Sequence, residues 1–131
     1  MVAIAIIAHG DFASGLKNGV EMIAGKQENF YAFNFDGDIE LMEFGSKIKD
    51  ETFNNEDGCI YVVDMIHDTP FNAALIAIAH TKNLIITGAS LPLVLELVIE
   101  RMNISNIQEL VSKICESSKS YVTTRSSEDV F

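Results

Sequence analysis

His9 sits in the stretch IIAHGDF, where an apolar run stops and is followed by Gly10 and Asp11. A histidine that gives one ring N–H to a carboxylate has its tautomer set, and the other nitrogen keeps a lone pair that can attack an electrophile. Asp64 is a candidate for that carboxylate, because it ends another apolar run, CIYVV. Thr69 and Pro70 then open an apolar helical stretch, and a helix start offers unpaired N–H groups and a positive dipole end to a phosphate or carboxylate. The same residues also have bland explanations: a histidine bonded to backbone in a tight turn, an aspartate capping a loop, a threonine capping a helix. What separates the two accounts is whether the fold brings these groups together.

The elements that must position them can be read along the chain. Residues 2–8 are continuously apolar with three isoleucines, which suits a strand buried on both faces. Asp11 can cap a helix to about Ala24, with Phe12, Leu16, Val20 and Ile23 along one stripe and Gly25 just past its end. FYAFNF (30–35) is strand-like, DGD marks a turn, and residues 39–48 form a more exposed helix with Ile39, Met42, Phe44 and Ile48 among charges. A polar stretch leads to the short buried strand at 59–63, and Thr69 with Pro70 begins a third helix through FNAALIAIAH. A fourth strand covers 84–86 and stops at Gly88, Ser90 with Pro92 begins LPLVLELVIERM, and residues 104–115 support a last helix. YVTT at 121–124 is a candidate extra strand before a polar tail from about residue 125.

Strands alternating with helices four times over, with no repeat and no linker, indicate a single doubly wound α/β domain over residues 1–131. Its sheet is expected to be mostly parallel and four-stranded, with helices on both faces. In such folds ligands bind beyond the carboxyl ends of the strands, where strand order reverses. His9 and Asp64 follow the first and third strands and therefore belong to that edge. If those two strands are neighbours, about 4.8 Å apart, the two side chains can touch.

Composition narrows the function classes. With 48% hydrophobic and 21% charged residues the chain is globular, and a formal charge of −10 repels phosphate backbones and anionic lipid. Nucleic acid and membrane surfaces are thus poor partners; a basic protein partner fits, as does acidity that serves only solubility. Cys59 and Cys115 form no disulfide framework or metal motif and each lies in an apolar segment, which suits a reducing compartment. No apolar run is long enough to span a membrane, and MVAIAIIA lacks the basic flank of a signal peptide, so the expected location is the cytoplasm. His9, His67 and His80 lack metal-type spacing, although His9 and His67 could approach each other in the fold; no metal or other cofactor is expected. Glycine-rich nucleotide loops are absent, and Ser14 lies inside a helix, not on a nucleophile elbow.

Three blocks, AHGDFASGL running on through EMIAGKQENFYAFNF, then VVDMIHDTPFNAA, then ITGASLPLVLE, resemble the enzyme IIA domains of the mannose-type (mannose/fructose/sorbose) bacterial phosphoenolpyruvate-dependent sugar phosphotransferase system. The similarity covers nearly the whole chain, and the order and spacing of the blocks make it fairly specific. It implies a strand order 2-1-3-4 and a homodimer in which a C-terminal strand, here 121–124, is exchanged between subunits. It also implies that His9 accepts a phosphoryl group from phospho-HPr and passes it to a histidine on a IIB partner, supporting sugar uptake through membrane IIC and IID components. Asp64 would orient the histidine, and Thr69, with Gly10 and Phe71, would hold the phosphoryl group.

Two departures matter. The family usually has two glycines before the hydroxyl of the second block, where this chain has His67 and Asp68. Asp68 would repel a phosphoryl group of roughly −1.5 to −2 charges if it points inward, whereas protonated His67 would attract it. Ser90 stands where asparagine is common in the third block. The altered loop motivates a second reading, a regulatory domain of the same fold whose phosphorylation is sensed by a partner; a third is the related phosphotransfer subunit of a dihydroxyacetone kinase, though the second and third blocks fit the sugar-type family better.

Overall fold

The first apolar run becomes an inner strand of a four-stranded parallel sheet. In the computed structural model, which describes residues 1–130 and residue 130 by its backbone alone, the strands are β1 (Ala3–His9), β2 (Phe30–Phe35), β3 (Cys59–Val63) and β4 (Leu84–Thr87). Helices α1 (Phe12–Ala24), α2 (Leu41–Glu51), α3 (Thr69–Ile78) and α4 (Leu91–Glu100) follow them in turn. Beyond these lie α5 (Ile107–Ser118) and a short α6 (Ser127–Val130). The sheet order is β2-β1-β3-β4, all neighbours parallel, so the order 2-1-3-4 holds and β1 and β3 lie side by side.

Alternation within β1 divides the interior into two cores, since successive side chains of a strand point to opposite faces. Val2, Ile4, Ile6 and Ala8 pack with α1, α4 and α5 through Leu16, Val20, Val94, Leu97, Leu110 and Ile114. Ala3, Ala5 and Ile7 face α2 and α3 through Phe44, Ile48, Ala73, Ala74 and Ala77. The second layer is thin because α3 meets the sheet with alanines, and α2 and α3 pack closely at Gly45.

Several expected details differ. On α1 the buried residues are Ala13, Leu16 and Val20, while Phe12 and Ile23 are exposed, so the apolar face is rotated from the expected stripe. Asp11 stands at the cap position but its side chain caps nothing; Asn34 of β2 accepts from the Ser14 N–H instead. Met42 is exposed on α2, and Cys115 is exposed on α5 and not packed as a small hydrophobe. Residues 121–124 form no strand within the single chain: Tyr121 continues the turn after α5 and its hydroxyl donates to Glu96 on α4. The polar tail ends in the short α6.

Gly45 supplies a test of the α2–α3 layer. A Cβ there would stand 2.8 Å from both Cβ and Cδ1 of Ile76. Gly45→Ala gains up to about 1 kcal/mol of helix propensity, but overpacking of this kind costs about 1–3 kcal/mol. We expect a net loss of roughly 1 kcal/mol in urea unfolding, with the m-value unchanged.

Candidate active site

Two strand ends meet at the carboxyl edge of the sheet. Pairing of Ile7 with Val63 places Asp64 one step further along, beside the end of β1. One oxygen of Asp64, Oδ2, accepts from the His9 main-chain N–H at 3.0 Å and from the His9 Nδ1–H at 2.6 Å. Its Oδ1 accepts from the Met65 N–H, so the carboxylate is bonded on both oxygens. The His9 ring also meets the edge of Phe35, with ring centroids 6.0 Å apart. Gly10 turns the chain from β1 toward α1 with φ +58°, a conformation that costs glycine little.

The other ring nitrogen faces the start of α3. There Asp68 is the capping residue, with extended backbone; its Oδ1 accepts from the Thr69 N–H and its Oδ2 lies 3.0 Å from His9 Nε2. The cap is therefore Asp68, and Thr69, expected in that role, is the first residue of the helix. Pro70 occupies a position where an N–H would have no intrahelical acceptor, and the Phe71 N–H lies in the same first turn. The Gly10 N–H, expected to bind phosphate, donates to the Phe35 carbonyl at 2.8 Å and is already engaged. His67 has φ +68°, in the left-handed region that favours glycine, and its ring packs edge-on against Phe71 with centroids 5.7 Å apart. Among the described residues no three His, Cys, Asp or Glu side chains converge as a metal site.

This geometry sets the charges. The hydrogen bond to Asp64 raises the His9 pKa above its ordinary 6.5 against the opposing effect of burial, and the charges of Asp64 and Asp68 add to the rise. Burial alone would raise the Asp64 pKa, but the His9 backbone N–H, the imidazole and the Met65 N–H together hold it below its ordinary value. The site thus favours an ionised Asp64 and a positively charged His9, an arrangement suited to a ring that must take on charge.

The comparisons with known proteins agree with the fold. The family described as "PTS system fructose IIA component" (EIIA-man) matches residues 3–115. The chain belongs to that family, the mannose-type enzyme IIA domains, and is a phosphotransfer component of a sugar phosphotransferase system. It is 30% identical over 119 residues to the fructose-specific EIIA component of Bacillus subtilis (strain 168), covering 87% of this chain and 80% of that one. To the sorbose-specific EIIA component of Lacticaseibacillus casei it is 26% identical over 125 residues, 94% and 90% of the two chains. Among solved structures, the phosphotransferase system component EIIA from Streptococcus agalactiae superposes with a TM-score of 0.86 at 25% identity, covering 95% of this chain and 97% of that one. No helix among the described residues is long and apolar enough to cross a membrane.

The two shifts predict a stability profile. The His9 contribution is complete below its unfolded pKa of about 6.5 and is lost as pH rises through the higher folded value. The Asp64 contribution is complete above its unfolded pKa of about 3.9 and is lost as pH falls through the lower folded value. The stability difference between the wild type and Asp64→Asn should therefore be greatest between about pH 4 and 6.5 and shrink on both flanks. Urea unfolding at a series of pH values checks this; a difference that stays flat contradicts it.

Proposed function

We propose that His9 carries a phosphoryl group on Nε2, taken from phospho-HPr and passed to a IIB partner. The observation that carries this reading is that Asp64 holds Nδ1, so Nε2 is the nitrogen facing the start of α3, where an anionic oxygen already stands at 3.0 Å. In the reaction, neutral His9 attacks phosphorus through the Nε2 lone pair. The donor's N–P bond breaks, and its electron pair returns to the donor ring. The phosphorylated His9 ring becomes positive while keeping its Nδ1–H, and Asp64 neutralises that charge across the 2.6 Å contact. The Thr69 hydroxyl and the Phe71 N–H cover the phosphoryl oxygens as they arrive. Transfer of this kind depends mostly on positioning and on charge stabilisation.

The exposed apolar side chains Phe12, Met65 and Ile66, on the segments either side of His9, suit a docking protein better than a free sugar. In this reading the chain works in the cytoplasm, and the sugar is handled by membrane IIC and IID components. The assembly is a homodimer, with residues 121–124 as the segment exchanged between subunits.

Incubation with enzyme I, HPr and phosphoenolpyruvate should place an acid-labile phosphate on the chain. The label should be absent in His9→Ala and form at least about tenfold more slowly in Asp64→Asn, a barrier rise of about 1.4 kcal/mol. Added cognate IIB should empty it. A wild type that takes no label, or a His9→Ala variant that keeps it, overturns the reading. A label that cognate IIB fails to remove would move it to a regulatory domain whose phosphorylation is sensed.

A further inference from the structure

We propose that Asp68 is a built-in competitor for the phosphoryl position: its carboxylate latches His9 in a doubly protonated, non-nucleophilic state and has to swing out before a phosphoryl group can occupy Nε2. The consequence for transfer rests on the phosphohistidine reading above, but the latch itself does not.

An ionised carboxylate accepts hydrogen bonds and has no proton to donate. A contact of 3.0 Å between Asp68 Oδ2 and His9 Nε2 therefore places a proton on Nε2. Nδ1 already donates to Asp64 at 2.6 Å, so both ring nitrogens carry protons and no ring lone pair is left to attack phosphorus. The neighbours of the ring support this state. Asp64 faces it from the end of β3 and Asp68 from the loop before α3, both negative, while β2 contributes only the edge of the Phe35 ring.

The latch also fills the space beside Nε2 and engages the Thr69 N–H, both of which a phosphoryl group there would need. Asp68 bridges the Thr69 N–H and the His9 Nε2–H with its two oxygens, as a phosphate at a helix start beside a histidine would. A phosphoryl group on Nε2, with roughly −1.5 to −2 charges, excludes a carboxylate at that distance. Release needs little rearrangement, because the Asp68 side chain is 49% exposed and rotation about its own bonds carries it into solvent. The backbone need not follow: His67, at φ +68°, is braced by its ring against Phe71. The order of events is then rotation of Asp68, loss of the Nε2 proton to water, and attack by the exposed lone pair. Once Asp68 has left, the Thr69 N–H is free for a phosphoryl oxygen.

Asp68→Asn tests the latch, because asparagine caps helices about as well as aspartate and keeps α3 intact while removing the charge. Asp68→Gly serves as a second variant that removes the side chain altogether. NMR titration of the His9 ring nitrogens should show the midpoint falling by about one pH unit in both variants relative to the wild type. Phosphorylation of His9 by phospho-HPr at about pH 6 should rise several-fold, with roughly tenfold as the ceiling for a one-unit shift, and the advantage should fade at high pH, where the wild-type ring is already neutral. An unchanged midpoint together with an unchanged or slower reaction in both variants overturns the latch, even if His9 is phosphorylated normally. A lowered midpoint in chains that never accept phosphate leaves the latch standing and overturns the phosphohistidine reading instead.

Discussion

One carboxylate oxygen, Asp64 Oδ2, accepts both the main-chain N–H and the Nδ1–H of His9. That double acceptance fixes the ring relative to its own backbone, because the two donors of one residue are tied to a single point. It requires β1 and β3 to be adjacent, parallel and in the register that pairs Ile7 with Val63. A slip of one residue would turn the alternating core side chains to the wrong faces and move Asp64 away from the ring. The packing of the two cores and the geometry of the site are thus set by one register.

The opposite end of the same strand is held by another long-range polar group. Arg101, 2% exposed after the end of α4, donates through its guanidinium to the carbonyls of Val2, Glu28 and Asn29 and to Gln27 Oε1. It joins the start of β1 to the loop that enters β2, across 99 and 72 residues of sequence for the Val2 and Asn29 bonds. Four acceptors close to one buried charge spread the cost of its desolvation, and the rigid fork of an arginine can reach them together where a lysine could not. With β1 tied at Val2 by Arg101 and at His9 by Asp64, the strand that carries His9 has little freedom to slide.

Much of this was legible in the sequence. His9 and Asp64 stand where apolar runs end, and the alternation of strands and helices carries both to one edge by topology alone. The strand order came from resemblance to the mannose-type enzyme IIA domains, since the runs themselves do not say which strands are neighbours. The less legible features depend on side-chain rotamers and on distances between segments remote in sequence. Asn34 takes the place of Asp11 at the start of α1 because a strand end reaches the Ser14 N–H, and nothing in FASGL signals that. Family resemblance assigns Gly10 a part in holding the phosphoryl group, yet the parallel neighbour β2 claims its N–H through Phe35. Tyr121 reads as strand-forming, but within the single chain it follows α5 in a turn, with its hydroxyl bonded to Glu96. Asp68 is the sharpest case, because its residue type raises the question of repulsion while only the folded loop gives its direction.

Two carboxylates on opposite sides of one imidazole act on different species. Asp64, on Nδ1, stabilises any state in which the ring is positive, which includes both the imidazolium and a ring phosphorylated on Nε2. Asp68, on Nε2, stabilises only the imidazolium, because a phosphoryl group excludes it from the contact. A relay of the kind proposed exchanges one N–P bond for another, so its donor and acceptor must lie close in free energy, and a site that bound the phosphoryl group too well would not release it. Opposed carboxylates would meet that requirement: Asp64 lowers the energy of both positive states, and Asp68 adds to the empty, protonated one alone. A glycine at position 68 would leave the first effect without the second. In the proposed relay, the side chain at position 68 would shift the balance toward the unphosphorylated protein, most strongly at low pH, where the protonated competitor is most populated.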